Sequence, residues 1–179
     1  TSSVAIWRLW EAMQGPMPAQ FAGHSLGEWS ALVCAGAVDF ADAVSIVRAR
    51  GAYMQEAVPV GVGAMAAIIG LDDEAIRTAC VEAQSFGIVA AVNYNAPGQV
   101  VIAGEVKAVD QAMSLCKDAG AKRALPLPVS APFHTSLMKP AAERLTPLVE
   151  STVFSVPVVP VIHNVNGQSQ SDPIMIKNL

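Results

Sequence analysis

The chain has 179 residues, 53% of them hydrophobic and only 15% charged, which excludes a disordered polypeptide and suits one domain with a sizeable core and a small inserted subdomain. A net charge of −4 argues against nucleic acid as a partner. No segment approaches the roughly 18 uninterrupted apolar residues of a spanning helix, and no charged-then-apolar leader opens the sequence, so neither a membrane nor secretion is expected. The hydropathy comes from Ala, Val and Gly, as in parallel sheets covered by helices. Cys34, Cys80 and Cys116 are odd in number and far apart in the sequence. They read as free buried thiols in a reducing compartment, so a cytoplasmic protein without a metal site or cofactor is expected.

In chain order, residues 2–14 carry apolar side chains at helical spacing and stop at Gly15-Pro16. A short apolar run, Ala19 to Ala22, leads into Gly23-His24-Ser25-Leu26-Gly27. A buried helix follows over 28–35, giving strand, tight turn and helix. Asp39 is the expected N-cap of a helix over about 41–57, which ends before Pro59. From 61 the rhythm changes. Gly63 to Ile69 reads as a strand and Asp72 to Ser85 as a helix with an acidic first turn. Two strands, 88–93 and 99–103, are joined by a turn over Asn95-Ala96-Pro97-Gly98. A helix over 106–119 ends at Gly120, and a strand covers 123–129. That βαββαβ order is the split pattern of a ferredoxin-like unit. A helix from Thr135 to Glu150 and a Pro-punctuated strand from Val156 to Ile162 come next, then a polar tail, 167–179, with no evident structural ending. The expected organisation is a core from 1–59 and 132–179 with an inserted subdomain over 60–131.

Charge is uneven along this chain. Six bases (Lys107, Lys117, Lys122, Arg123, Lys139, Arg144) face three acids (Asp110, Asp118, Glu143) between 107 and 144, while the remainder has five bases against twelve acids. Such a stretch is either a solvated face or a surface for an acidic partner, with Lys117, Lys122 and Arg123 as its centre.

Gly-x-Ser-x-Gly at 23–27 is the sharpest local feature. A serine on a strained strand-to-helix turn projects its hydroxyl at the strand's C-terminal end, and flanking glycines let the backbone pass closely. The helix start beneath it offers N–H groups, with that of Leu26 a candidate oxyanion donor. Serine needs a base, and three histidines are available. His24 adjoins the serine and so points elsewhere on the turn. His163, in Val161-Ile162-His163-Asn164, reads as a satisfied, partly buried side chain. His134 lies in a strand-to-helix loop, where catalytic groups are usually presented, and is the base by elimination. Arg50 lies in an Ala-rich helix, where an arginine is usually a solvated side chain, but beside Gly51 and one turn before Met54 it can also bind a carboxylate through two parallel hydrogen bonds.

Gly23-His24-Ser25-Leu26-Gly27-Glu28, Arg50-Gly51-x-x-Met54-Gln55, Gly63 to Ala67, Asn93-x-Asn95-x-Pro97 to Gly104 and Ser130-x-Pro132-Phe133-His134 follow one another in an order that resembles the malonyl-CoA:acyl-carrier-protein transacylases. These are bacterial stand-alone relatives of the acyltransferase domains of polyketide and fatty-acid synthases. The resemblance covers essentially the whole chain. It implies a fold with an α/β-hydrolase-like core and an inserted ferredoxin-like subdomain. It also implies a ping-pong transfer of malonyl from malonyl-CoA to the phosphopantetheine thiol of holo acyl carrier protein, through an ester on Ser25 with His134 as acid and base. Arg50 would hold the malonyl carboxylate. Met54, Phe133 and His24 join it on the substrate side, with the bulk of Phe133 disfavouring a branched acyl group. A monomer is expected. The family's Gly-Gln-Gly turn near its beginning and its later strands have no counterpart here, so the chain is expected to be a fragment. An acyltransferase domain of a polyketide synthase, a plain serine hydrolase and a non-catalytic carrier-docking module are the competing readings.

Overall fold

The structure is a computed structural model that describes residues 1–129 and 131–179. Ser130 of the fifth motif lies outside the described residues. In chain order the elements are α1 (Ser2–Ala12), β1 (Phe21–Ala22), α2 (Leu26–Cys34), α3 (Phe40–Glu56), β2 (Gly63–Ile69), α4 (Asp73–Ala83), β3 (Val89–Ala96) and β4 (Gln99–Glu105). They continue with α5 (Val106–Asp118), β5 (Arg123–Pro126), α6 (Lys139–Ser151), β6 (Val161–Ile162), β7 (Ser169–Gln170) and α7 (Pro173–Lys177). The protein is mixed α/β. It divides into two compact units, Thr1–Arg50 with Leu145–Leu179, and Gly51–Arg144.

The second unit holds a four-stranded antiparallel sheet in the order β3-β4-β2-β5. Side chains alternate across it, as the twofold period of a strand requires. Ile68, Val100 and Ile102 face α4 and α5 and join Ile76, Val109 and Cys116 in one core, while Met65, Val101 and Ala103 pack on the opposite face with Val92, Leu127 and Phe133. Asp72 caps α4 by accepting the Glu74 N–H at 2.9 Å, and Asp73 and Glu74 place negative charge at the positive end of that helix. Pro97 and Gly98 alone make the β3–β4 turn, since Asn95 and Ala96 still belong to the strand. Gly98 has φ +70, which glycine adopts without steric cost.

In the first unit a small sheet runs β1-β6-β7, with β1 parallel to β6 in the register Phe21↔Val161 and Ala22↔Ile162. Ala31 and Leu32 of α2, Ala35 at its C-cap and Ala43 of α3 pack with Val161 of β6. Asp39 caps α3 as expected, accepting the Ala41 N–H at 2.7 Å. Three expectations change. The strand foreseen over 156–162 shrinks to Val161–Ile162, because Pro157 and Pro160 bring no N–H. The amides of Ser155 and Val158 bond instead to the carbonyls of Ala37 and Ala35. The tail is structured: β7 pairs with β6, and Asp172 caps α7 through the Ile174 N–H at 2.8 Å. The helix expected from Thr135 starts at Lys139, after a single 3-10 turn over Ser136–Met138.

All three cysteines are free, and Cys80 and Cys116 are buried. Burial pushes the Cys80 thiol up to about 12 and the Cys116 thiol up to about 11. A thiol raised this far stays protonated near neutrality, and the thiolate is the reactive form. In the native full-length protein at about pH 8, a disulfide reagent should therefore leave both unmodified, and denaturant should release them. Rapid native labelling of Cys80 would contradict the packing of α4 against the sheet, and of Cys116 that of α5.

Candidate active site

The chain leaves β1 at Gly23 and enters α2 at Leu26, so the whole reversal is made by three residues. Ser25 is the N-cap of α2, at φ 53 and ψ −109. A non-glycine residue held in such a region costs about 1–3 kcal/mol and persists only where its surroundings enforce it. Gly23 shows why the first glycine is required: a Cβ there would stand 2.0 Å from the carbonyl carbon of Gly27 and 2.5 Å from the Glu28 nitrogen. Gly27 corrects the symmetrical reading of the motif, because an added Cβ there meets nothing within 4 Å. It borders a cleft of about 720 Å³ that is also lined by Trp7, Trp10, Met17 and Phe21. Neither Ser25 nor Arg50 lines that cleft.

A serine at an N-cap usually turns its oxygen onto the first helical N–H groups. Ser25 makes no such bond. Its hydroxyl oxygen accepts a hydrogen bond from Nη2 of Arg50 at 2.9 Å. Arg50 follows Ala43 and Ile46 at helical spacing on α3, and both of these are buried, so the guanidinium emerges on the inward stripe. Burial lowers its pKa from the ordinary arginine value. Among the described residues no carboxylate pairs with it. A half-buried guanidinium with a hydroxyl but no acid beside it has donors left with which it can receive an anionic group. Leu26 opens α2, so its N–H is one of the donors that helix geometry leaves unused, and no described residue accepts it. The neighbouring amides are engaged: Gly27 N–H donates to the His24 carbonyl at 2.9 Å and Glu28 N–H to that of Ser25 at 3.1 Å. The His24 side chain is exposed.

In the second unit, His134 is the other candidate with positive φ, at 62; only Gln14 shares that property among described non-glycine residues. Its turn is tied by the Thr135 hydroxyl, which donates to the Pro132 carbonyl at 2.7 Å. Met54 is buried with Val58, Met138 and Ala141, and Phe133 packs against that same cluster.

Sequence reasoning missed Asn164 and gave Glu28 no role beyond the motif. His163, read as a satisfied histidine, is 1% exposed and half satisfied. Its Nδ1 meets Glu28 Oε1 at 2.7 Å, while no described residue bonds its Nε2. Asn164 accepts the Ser25 N–H at 2.9 Å and donates to the Gly23 carbonyl at 2.6 Å and to the Glu28 carboxylate. The legible signal was a polar pair closing an apolar strand. What it touches depends on the parallel register of β1 and β6, which sets Asn164 beside the serine turn.

The acyl transferase domain family model matches residues 2–178. A malonyl CoA-acyl carrier protein transacylase of Salmonella typhimurium is 57% identical over 178 residues, 99% of this chain and 58% of that protein. The crystal structure of an acyl carrier protein S-malonyltransferase from Vibrio cholerae superposes with a TM-score of 0.96 at 57% identity, covering 98% of this chain and 57% of that one. A type II PKS acyl-carrier protein in complex with its malonyl-transacylase gives 0.96 at 55% identity, with 98% and 57% covered. The chain belongs to the acyl transferase domain family. It spans less than two thirds of the length of these relatives.

The asymmetry of the two glycines is directly testable in the full-length protein. Gly23→Ala should destabilise by about 1–3 kcal/mol through overpacking of the turn. Gly27→Ala should keep the fold, with a stability change below about 1 kcal/mol. Equal damage from both, measured by thermal unfolding, would overturn this account of the turn.

Proposed function

We propose that the full-length protein transfers a malonyl group from malonyl-CoA to the phosphopantetheine thiol of holo acyl carrier protein in fatty-acid biosynthesis. The observation that carries this reading is the Arg50 guanidinium donating to the Ser25 hydroxyl on a strained turn, in a chain whose relatives bear that activity's name. In this mechanism Ser25 Oγ attacks the thioester carbonyl while His134 takes its proton. The C–S bond breaks, the proton goes to the departing CoA thiolate, and malonyl remains as an ester on Ser25. The carrier's thiol then attacks that ester, gives its proton to His134, and Ser25 Oγ leaves with it. The Leu26 N–H stabilises the developing oxyanion. Arg50 pairs with the malonyl carboxylate, a charge-assisted contact of about 1.5–3 kcal/mol that selects malonyl over acetyl. Met54 and Phe133, which share an apolar cluster, bound the acyl group and leave little space for a branch, with His24 on the substrate side.

For the fold, the strand order β3-β4-β2-β5 with helices after the first and third strands supports a ferredoxin-like subdomain over 60–131. The parallel β1–β6 pair leading into the serine turn supports an α/β-hydrolase-like core from 1–59 and 132–179. The protein acts as a cytoplasmic monomer in this reading. Among the described residues no helix is long and apolar enough to cross a membrane.

Incubating the full-length protein with malonyl-CoA should add one malonyl mass on Ser25, and acetyl-CoA should add far less. Arg50→Lys should lower malonyl transfer by about 10- to 150-fold while sparing residual acetyl transfer. Equal labelling by both thioesters, or parallel loss in the variant, would sink the assignment. The carrier is placed on the basic surface of Lys117, Lys122 and Arg123. Its affinity should fall steeply as salt rises from about 0.05 to 0.5 M, and a flat response would remove that docking site.

A further inference from the structure

We propose that Asn164 is a positioning residue for the nucleophile: a single carboxamide clasps both arms of the serine turn, and Glu28 fixes which way that carboxamide faces. The inference rests on reading Ser25 as the nucleophile. The turn carries its strain at Ser25, and its own bonds lie on the helix side, where Gly27 and Glu28 donate to His24 and Ser25. On the strand side, Gly23 presents its carbonyl and Ser25 its N–H, and Asn164 engages both, at 2.6 and 2.9 Å. Holding these two groups at one spacing fixes the backbone on either side of His24, and with it the direction in which the Ser25 hydroxyl leaves the turn.

Only a side chain with a donor and an acceptor on one planar group meets both demands, and asparagine is the smallest. The Asn164 side chain is exposed, so water competes for both bonds and burial does not orient the amide. Glu28 does. Its Oε2 accepts from the Asn164 amide and from the Asn164 backbone N–H, the latter at 3.1 Å. A flipped amide would aim its oxygen at that carboxylate and its NH₂ at the Ser25 N–H, two repulsive contacts. The second oxygen of Glu28 meets Nδ1 of the buried His163 at 2.7 Å, so the carboxylate is itself anchored. Glu28 and His163 thus act on Ser25 through Asn164, without touching the reacting oxygen.

The test uses full-length protein and two probes of Ser25: a fluorophosphonate, which reports nucleophile reactivity with no malonyl chemistry, and malonyl-CoA. Asn164→Ala should slow phosphonylation and malonylation of Ser25 together, by about 10- to 100-fold, while KM for malonyl-CoA moves less than about threefold. Asn164→Asp keeps the acceptor for Ser25 N–H but sets a second carboxylate against Glu28. Protonation restores the missing donor, so its deficit relative to wild type at the same pH should narrow between about pH 8 and pH 6. An Asn164→Ala protein that folds and reacts within about threefold of wild type would overturn the proposal, as would an Asn164→Asp deficit that is constant with pH. Should the alanine variant fail to fold, the aspartate profile decides alone. Wild-type Ser25 that is phosphonylated but never malonylated refutes the transacylase reading and leaves the clasp to be judged on phosphonylation rates. A wild type inert to both probes removes both.

Discussion

A non-glycine residue at φ 53 between a two-residue strand and a helix is the constraint on which the first unit is built. Left to itself the backbone would relax, and the hydroxyl would fold back onto the helix start as an ordinary cap. Three features prevent this. The absence of a Cβ at Gly23 admits the Gly27 carbonyl, the parallel pairing of β1 with β6 fixes the strand end, and Asn164 bridges the two arms. The first of these lies within the pentapeptide, but the other two join distant segments, Ser25 and Asn164 being 139 positions apart, so the pentapeptide does not hold the strain by itself.

Placing the hydroxyl also determines what Arg50 is available for. A guanidinium on the inward stripe of α3 loses part of its hydration, and burial accordingly lowers its pKa. Nη2 donates to Ser25, and a planar fork with five donors has capacity left for a carboxylate. In the proposed transfer, selectivity for an acidic acyl group and orientation of that group beside Ser25 Oγ would both come from this one side chain. A lysine would supply the charge without the second, parallel bond.

The two units are assembled differently. In Gly51–Arg144 the strands and helices that pack together are mostly near neighbours in sequence, linked by short turns such as Pro97-Gly98, and the alternation of β2 and β4 declares both faces of the sheet. The other unit joins two distant segments, and its sheet contains two-residue strands whose pairing carries little local signal. The serine turn belongs to this second kind of structure. Its precision comes from long-range register and from a polar network around one carboxylate, Glu28, that serves Asn164 and His163 together.

Local patterns determined a good deal. The sequence itself disclosed the βαββαβ rhythm, the Asp39 cap, the acidic first turn of α4, the strand–turn–helix around Ser25 and the free thiols, because each rests on periodicity, capping chemistry or spacing within a few residues. It also singled out Ser25 and Arg50, but separately: a lone arginine in an Ala-rich helix looks solvated until the buried stripe of Ala43 and Ile46 is known. Only the tertiary structure decided that Gly23 is sterically required and Gly27 is not. Packing likewise showed that Pro157 and Pro160 confine β6 to two residues, that the tail closes with β7 and α7, and that Asn164 reaches the turn. The Gly23 contact lies within the turn but depends on its exact backbone path; the reach of Asn164 depends on atoms that meet across a long separation, and a one-residue change in the β1–β6 register would remove it without altering any local pattern.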